Sequence, residues 1–155
     1  MTKKYNFVLD VDGVLTTGQF LYSPNGKEYK VFGPHDADGL ELIKDEVEIL
    51  FISADKRGYP ISEKRVKDMG YPIELVTAAE RYEYIEKKYG FENTIFMGDG
   101  INDVSLLKAC KLGIAPANAR VEAKEAADFV TESNAAEGAV CDACIEIKKR
   151  FLEEK

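Results

Sequence analysis

Residues 5–16 read YNFVLDVDGVLT, and this segment decides the fold. It begins with a short apolar run, Tyr5–Leu9, that predicts a buried strand. Asp10 and Asp12 follow at the end of that strand, and Gly13 permits a sharp change of direction immediately after them. Paired carboxylates in such a turn suit two tasks, which are binding a hard cation and dividing nucleophile and acid–base roles. An acidic turn exposed to solvent is the alternative interpretation.

Two further strand ends carry polar groups. The apolar run 94–97 leads into GDGIND, residues 98–103, and a helical pattern begins at Val104. The apolar run 47–52 ends at Ser53. Because ligands bind at the C-terminal ends of strands in open α/β sheets, we expect these ends to form one site together with Asp10 and Asp12.

Length and charge exclude several classes of protein. The chain has 155 residues and a formal net charge of −7, with 28 acidic against 21 basic side chains. This length fits one domain over residues 1–155. The acidic balance argues against a nucleic-acid partner, which requires a basic surface, and no apolar run approaches the roughly 20 residues of a membrane helix. Asp10 interrupts the first apolar stretch too early for a signal peptide, and the odd number of cysteines predicts reduced thiols and a cytoplasmic protein.

Strand and helix patterns alternate along the chain. This alternation predicts an α/β fold, a Rossmann-like three-layer sandwich with a central parallel sheet. Asn25-Gly26 lies between two apolar-rich runs and predicts a β-hairpin flap over about residues 18–33, directly after the first strand. Asp36 is expected to cap the next helix, which should extend to about Lys44.

At these residues the chain resembles the haloacid dehalogenase-like hydrolase superfamily. Asp10 to Val14 matches the first motif, Asp-x-Asp-Gly followed by Thr or Val. Ser53 matches the second motif, a Ser or Thr that ends a strand, and Gly98 to Asp103 matches the fourth motif, Gly-Asp-Gly-x-Asn-Asp, in full. No cap domain of ordinary size fits between the motifs. The chain therefore resembles the capless group that includes the phosphatases of 3-deoxy-manno-octulosonate 8-phosphate and of related nine-carbon sugar-acid 9-phosphates.

The resemblance implies catalytic and metal-binding roles for four aspartates. Asp10 is expected to attack phosphorus and form an aspartyl-phosphate, while Asp12 protonates the leaving oxygen and then activates water. Mg²⁺ is the expected cofactor. Its expected ligands are the carboxylates of Asp10 and Asp99 and the main-chain carbonyl of Asp12, with Asp103 as a further ligand or in the outer shell.

The resemblance also implies a phosphate-binding set. The hydroxyl of Ser53 and the backbone amide of Ala54 are expected to donate hydrogen bonds to the phosphate. Arg81 stands where the superfamily usually has Lys, and Arg can bind phosphate and pair with a carboxylate but is not equivalent to Lys. Lys56 is the alternative residue for this role.

Two departures from the capless group bear on the substrate. His35 stands where Arg is frequent, and it is expected either to contact substrate or a neighbouring chain or to be an ordinary loop residue. Asp55-Lys56 replaces a usual Gly-Arg pair, and an acidic side chain there disfavours a substrate carboxylate unless Lys56 or Arg57 reverses the local field.

The sequence therefore predicts a Mg²⁺-dependent phosphatase that acts on a small phosphomonoester, with a sugar-acid phosphate as the expected substrate. A catalytically weak tetramerisation module of a sugar-nucleotide pathway is the alternative, although an idle site need not keep all four aspartates. A phospho-accepting signalling receiver would need neither Asp12 nor the motif at residues 98–103.

The hairpin also predicts an assembly. An isolated two-stranded hairpin is only marginally stable in water. Apolar side chains that are exposed on such a hairpin favour contact with a partner. Together with the resemblance, this predicts a homotetramer in which hairpins pack together and neighbouring chains close each site. The alternative is a hairpin that folds onto its own domain. The apolar side chains concerned are Phe20, Leu21, Tyr22, Tyr29, Val31 and Phe32.

Overall fold

The computed structural model describes residues 3–153, in which strands and helices alternate after an initial hairpin. The strands of this range are β1 (Tyr5–Asp10), β2 (Thr16–Ser23), β3 (Gly26–Phe32), β4 (Val47–Ser53), β5 (Ile73–Leu75), β6 (Thr94–Met97), β7 (Leu112–Ala115) and β8 (Phe129–Val130). Its α-helices are α1 (His35–Glu41), α2 (Tyr59–Met69), α3 (Arg81–Lys88), α4 (Val104–Ala109), α5 (Val121–Ala126) and α6 (Ala139–Ile147). None of these helices has both the length and the apolar character that crossing a bilayer requires.

Six strands form one parallel sheet, in the order β5-β4-β1-β6-β7-β8. β1 lies inside this sheet and pairs with β4 on one side and with β6 on the other. The direction in which the chain winds reverses between β1 and β6, and ligands bind at such a point in open α/β sheets. The predicted Rossmann-like sandwich is confirmed, and no cap domain is inserted within residues 3–153.

The two faces of the sheet follow from the alternation of side chains along β1. Phe7 and Leu9 belong to an apolar cluster that also contains residues of α1, α2 and α6. Val8 belongs to a second cluster, with residues of α3, α4 and α5. All three β1 side chains are completely buried. Burial on both faces locks β1 in place, so that Asp10 is held rigidly at the C-terminal edge of the sheet.

The hairpin of β2 and β3 follows β1 directly, and its two faces differ in character. Leu21 pairs with Tyr29 across the strands, and these side chains are 61% and 64% exposed. Phe20 pairs with Lys30, which is only 8% exposed. The hairpin therefore presents apolar groups outward and turns a lysine toward its own domain.

One local expectation was wrong. Asp36 does not cap its own helix, because α1 begins one residue earlier and ends at Glu41. Instead the Asp36 carboxylate is completely buried, and its Oδ1 accepts a hydrogen bond from the backbone amide of Cys141, 3.4 Å away at the start of α6. Burial raises the pKa of Asp36 to about 6. Sequence proximity favours a local cap, whereas the packing of α1 against α6 provides a distant donor in its place.

Candidate active site

An open pocket of about 290 Å³ lies at the C-terminal ends of β1, β4 and β6. It collects residues from all three sequence segments that were expected to converge. Its lining consists of Asp10, Asp12, Lys27, Ala54, Asp55, Ala78, Arg81, Asp99, Gly100, Asn102 and Asp103.

Three carboxylates in this pocket form a cluster suited to a metal ion. Asp10, Asp99 and Asp103 each offer an oxygen, and these oxygens lie within 4.8 Å of one another. Burial, reinforced by neighbouring carboxylates, raises the pKa of Asp99 to about 6 and holds the pKa of Asp10 well above its usual range. Bringing these charges together is unfavourable unless a cation offsets them, and carboxylate oxygens are the ligands that a hard divalent cation prefers.

Asp103 is held by several hydrogen bonds. Its Oδ2 accepts hydrogen bonds from the backbone amides of Asp99 and Gly100, each at 3.0 Å, and its Oδ1 accepts one from Arg81 Nη1 at 2.6 Å. Asp103 therefore stabilises the loop that carries Asp99. This arrangement favours Asp10 and Asp99 as direct metal ligands, with Asp103 behind them.

Arg81 is the first residue of α3 and is only 4% exposed. Its Nη2 lies 3.3 Å from Asp10 Oδ1, while its Nη1 binds Asp103. Burial opposes the guanidinium charge, but the carboxylates of Asp10 and Asp103 outweigh that effect and raise the pKa of Arg81. Lys56, the alternative residue, is exposed and does not line the pocket. The structure therefore places Arg81, and not Lys56, at the carboxylate cluster.

Gly13 allows the first and fourth motifs to approach each other. Its φ of +81° is in the left-handed region that glycine favours. A Cβ atom at this position would also overlap the carboxylate of Asp99. The positive φ and the short distance to Asp99 both exclude residues other than glycine at position 13. Gly13 of the first motif is therefore needed for the position of the Asp99 carboxylate in the fourth motif.

Ser53 and Ala54 lie at the end of β4, next to β1. Asp10 pairs with Ile52 in the register of the two strands, which places Ser53 one residue beyond Asp10. Ser53 is completely buried, and its Oγ accepts a hydrogen bond from the backbone amide of Asp55 at 3.1 Å, which leaves its own hydroxyl proton available for donation. Ala54 is exposed and lines the pocket.

Two hairpin lysines also reach the site, and the sequence pattern had not predicted them there. Lys27 Nζ and Lys30 Nζ lie 2.7 and 2.9 Å from Asp55 Oδ2, and Lys30 Nζ also lies 2.9 Å from Asp12 Oδ1. Burial would raise the pKa of Asp55, but hydrogen bonds from both lysines and from the Gly58 amide lower it to about 2. The field at Asp55 is therefore reversed by Lys27 and Lys30, not by Lys56 or Arg57. The sequence did carry a signal for Lys30. Side chains alternate between the two faces of β3, so Lys30 lies on the face opposite to exposed Tyr29 and Val31.

His35 lies at the start of α1 and is exposed. It does not line the pocket within this chain. This geometry therefore does not support contact between His35 and a substrate bound in the pocket of the same chain.

Comparison with known proteins agrees with this arrangement. The family model of haloacid dehalogenase-like hydrolases matches residues 77–143. The 3-deoxy-D-manno-octulosonate 8-phosphate phosphatase of Haemophilus influenzae is 31% identical over 138 residues, covering 85% of this chain and 76% of the relative. The phosphatase of the same name from Salmonella typhi is 29% identical over 153 residues, covering 93% of this chain and 80% of the relative.

Solved structures show the same fold. A cobalt-bound deoxy-D-mannose-octulosonate 8-phosphate phosphatase from Haemophilus influenzae superposes with a TM-score of 0.83 at 28% identity, covering 95% of this chain and 88% of the other. The 3-deoxy-D-manno-octulosonate 8-phosphate phosphatase of Moraxella catarrhalis, solved with magnesium, phosphate and the sugar acid, gives a TM-score of 0.82 at 27% identity, covering 95% of this chain and 86% of the other. The chain therefore belongs to the haloacid dehalogenase-like hydrolases, as a phosphatase of their capless group.

Proposed function

We propose that this phosphatase uses Mg²⁺ to hydrolyse a small phosphomonoester through an aspartyl-phosphate on Asp10. The observation that carries the proposal is the position of Asp10, which is held at the sheet edge within a carboxylate cluster and against the buried guanidinium of Arg81. A carboxylate at the wall of an open pocket is placed to attack phosphorus. The neighbouring cation–carboxylate arrangement suits a charged phosphate ester.

The chain's own residues divide the reaction among them. Asp10 attacks phosphorus, and Asp12 donates a proton to the leaving oxygen and then accepts one from the attacking water. Ser53, the amide of Ala54 and the guanidinium of Arg81 hold the phosphate oxygens. Mg²⁺, when bound by Asp10, Asp99, the Asp12 carbonyl and the supporting Asp103, supplies charge neutralisation between the nucleophile and the phosphate.

A sugar-acid phosphate is the substrate class that we propose. The octulosonate 8-phosphate phosphatases support it through their similarity along most of this chain. The pocket supports it as well, because Lys27 and Lys30 neutralise Asp55 beside the site. A substrate carboxylate near Asp55 would therefore meet a neutral or positive field rather than a bare negative charge.

Phosphate release from a panel of phosphomonoesters tests this proposal. The panel contains 3-deoxy-manno-octulosonate 8-phosphate, nine-carbon sugar-acid 9-phosphates, neutral sugar phosphates and nucleotides, each assayed with and without Mg²⁺. We expect Mg²⁺-dependent turnover, with the highest kcat/KM among the sugar-acid phosphates. Preference for a neutral sugar phosphate would overturn the substrate class alone, whereas turnover that EDTA does not reduce would overturn the metal assignment.

Asp99→Ala tests the metal site directly. Loss of one carboxylate ligand is expected to raise the Mg²⁺ concentration for half-maximal activity by about 100-fold or more, since loss of an outer-shell partner alone typically costs about 10- to 100-fold in metal affinity. Calorimetric titration of Mg²⁺ in the absence of substrate should show the same loss. Asp68→Ala removes an exposed carboxylate on α2 and serves as the charge-matched control. An unchanged Mg²⁺ requirement in Asp99→Ala would contradict the assignment.

We also propose a cytoplasmic location, on the basis of the cysteines. Cys110, Cys141 and Cys144 are all free thiols, and Cys110 and Cys144 are buried. Burial raises the pKa of Cys110 to about 12 and that of Cys144 well above its usual range, so both stay protonated and unreactive. Free thiols are typical of a reducing compartment.

We further propose that four copies assemble through the hairpins. Lys30 turns inward, but the outer face keeps Leu21 and Tyr29 more than half exposed, with Tyr22 at 65%. Apolar area of this kind on a marginal two-stranded element is typical of an interface. We propose in addition that neighbouring chains close each open pocket, as the resemblance to the capless group implies.

A charge-pair substitution in the hairpin tests the assembly. Leu21→Lys combined with Tyr29→Glu places opposite charges directly across the strands, which preserves the hairpin and its inward lysines while removing the apolar face. We expect a tetramer for the original chain and a smaller species for the double variant by light scattering. Val121→Asp, at another exposed apolar position, is the control and should leave the assembly intact. A monomeric original chain would overturn the proposal.

A further inference from the structure

Lys30 is a buried cation on an otherwise exposed hairpin. Its side chain is 1% exposed, and its Nζ contacts three acceptors. These are Asp12 Oδ1 at 2.9 Å, Asp55 Oδ2 at 2.9 Å and Ser62 Oγ at 2.8 Å. An ammonium has three N–H donors, so the contacts use its full capacity and define its position.

We propose that Lys30 is the positioning residue for Asp12, holding Oδ1 so that Oδ2 remains directed to the leaving-group oxygen. This inference rests on the acid–base role proposed for Asp12. Lys30 acts through Asp12 and needs no contact with the substrate.

The surroundings of Asp12 explain why a positioning group is needed. The Asp12 side chain is 35% exposed. Among residues 3–153, Lys30 is the one residue that forms an ion pair with it. A partly exposed carboxylate that lacks such a partner can rotate away from the pocket. Proton transfer requires hydrogen-bond reach, and a displacement of about 1 Å can cost about 100-fold in rate.

The domain in turn holds Lys30 in place. Ser62 is completely buried on α2, and Asp55 follows β4, so the ammonium is fixed to two elements of the main domain. Gly58 precedes α2, and a Cβ atom there would overlap Asp55 Oδ2 and approach within 2.8 Å of Lys27 Cδ and Lys30 Cε. The absence of a side chain at residue 58 therefore gives the hairpin lysines their path to the site.

Lys27 provides a comparison within the same hairpin. Its Nζ contacts Asp55 Oδ2 and lies 4.1 Å from the centroid of the Phe20 ring, and it lines the pocket. Its ion pair is with Asp55, whereas only Lys30 bridges Asp55 and Asp12 among the described ion pairs. Asp55 therefore keeps a cationic partner when Lys30 is replaced.

Lys30→Met removes the ammonium and keeps an unbranched side chain that extends as far as Cε. The test compares kcat/KM for an alkyl phosphate and for p-nitrophenyl phosphate, because kcat/KM includes departure of the leaving group and only the poor alkoxide leaving group requires an acid. We expect kcat/KM to fall about 10- to 100-fold for the alkyl phosphate and less than about 3-fold for p-nitrophenyl phosphate. Lys64→Met, on the exposed side of α2, should leave both values unchanged.

The outcomes separate this inference from the proposed function. If the original chain hydrolyses both esters and Lys30→Met reduces both equally, the positioning role is wrong while the phosphatase mechanism stands. If the original chain hydrolyses neither ester, the proposed function fails and this inference fails with it. A crystal structure of the original chain with Mg²⁺ and orthovanadate is independent of whether Lys30→Met folds. It should show Lys30 still bound to Asp12 Oδ1, and an Asp12 carboxylate rotated away from Lys30 would overturn the inference.

Discussion

Asp10→Asn is expected to abolish turnover and leave the fold intact. The amide cannot attack phosphorus, and removal of a nucleophile that works within a set of groups reduces kcat by about 10⁴-fold or more. Asparagine keeps the size of the side chain and a carbonyl oxygen that can accept the Arg81 hydrogen bond. Arg81 also keeps its contact with Asp103.

The same substitution should not lower the thermal midpoint in metal-free buffer. Burial and the surrounding carboxylates hold the pKa of Asp10 well above its usual range. A folded-state pKa above the unfolded value means that ionisation of Asp10 at neutral pH opposes folding, and a neutral amide removes that cost. Circular dichroism melting should therefore show an unchanged or higher midpoint.

Acid quenching followed by intact mass spectrometry provides the direct measurement. The original chain should show a phosphate adduct during turnover with p-nitrophenyl phosphate, and Asp10→Asn should show none. Asp68→Asn, at an exposed carboxylate on α2, is the matched control and should behave like the original chain. A folded Asp10→Asn variant that keeps its turnover would refute the aspartyl-phosphate mechanism.

Asp12→Asn is expected to lower kcat by about 10²- to 10⁴-fold, the range that general acid–base catalysis contributes. The loss should have a different character from that of Asp10→Asn. The amide can still accept the Lys30 hydrogen bond at Oδ1, but it can neither protonate the leaving oxygen nor activate water. Both half-reactions are therefore impaired while the nucleophile remains.

The choice of ester separates the two half-reactions in Asp12→Asn. A p-nitrophenolate leaving group departs without an acid, whereas hydrolysis of the phosphoenzyme still requires the base. With p-nitrophenyl phosphate we therefore expect the adduct on Asp10 to accumulate to a larger fraction than in the original chain. With an alkyl phosphate the adduct should not accumulate, because its formation is also slowed. Near-normal turnover of the alkyl phosphate by Asp12→Asn would contradict the acid–base assignment.

Arg81 shows how this chain accommodates a departure from its family's usual Lys. The planar guanidinium binds Asp103 through Nη1 and Asp10 through Nη2, which a single ammonium cannot do in the same geometry. Its Nε is buried and has no hydrogen-bond partner among residues 3–153. The side chain thus joins Asp10, the proposed nucleophile, to the loop of the fourth motif, and we propose that it also binds phosphate.

Local pattern was sufficient for the sheet and for the three segments that form the site. β6 has the bounds of the apolar run at residues 94–97, and α4 begins at Val104 as expected. Asp10 and Ser53 end two neighbouring parallel strands and Asp99 follows a third, and such strands end at one edge of a sheet. The alternation of strands and helices along the chain determined that arrangement before any tertiary contact was known.

The tertiary structure alone decided which side chains serve those segments. Arg81 and Asp10 are separated by 71 residues, and the choice between Arg81 and Lys56 depended on how α3 packs against the sheet. Asp36 and Cys141, 105 residues apart, meet only where α1 and α6 pack together. From the sequence, Lys30 is expected to be a solvent-exposed strand residue. In the structure the hairpin packs next to Gly58, and the Lys30 side chain is buried against Asp12. Periodicity specifies which face of an element a residue occupies, but the partner on that face is set by three-dimensional packing, which one-dimensional spacing does not contain.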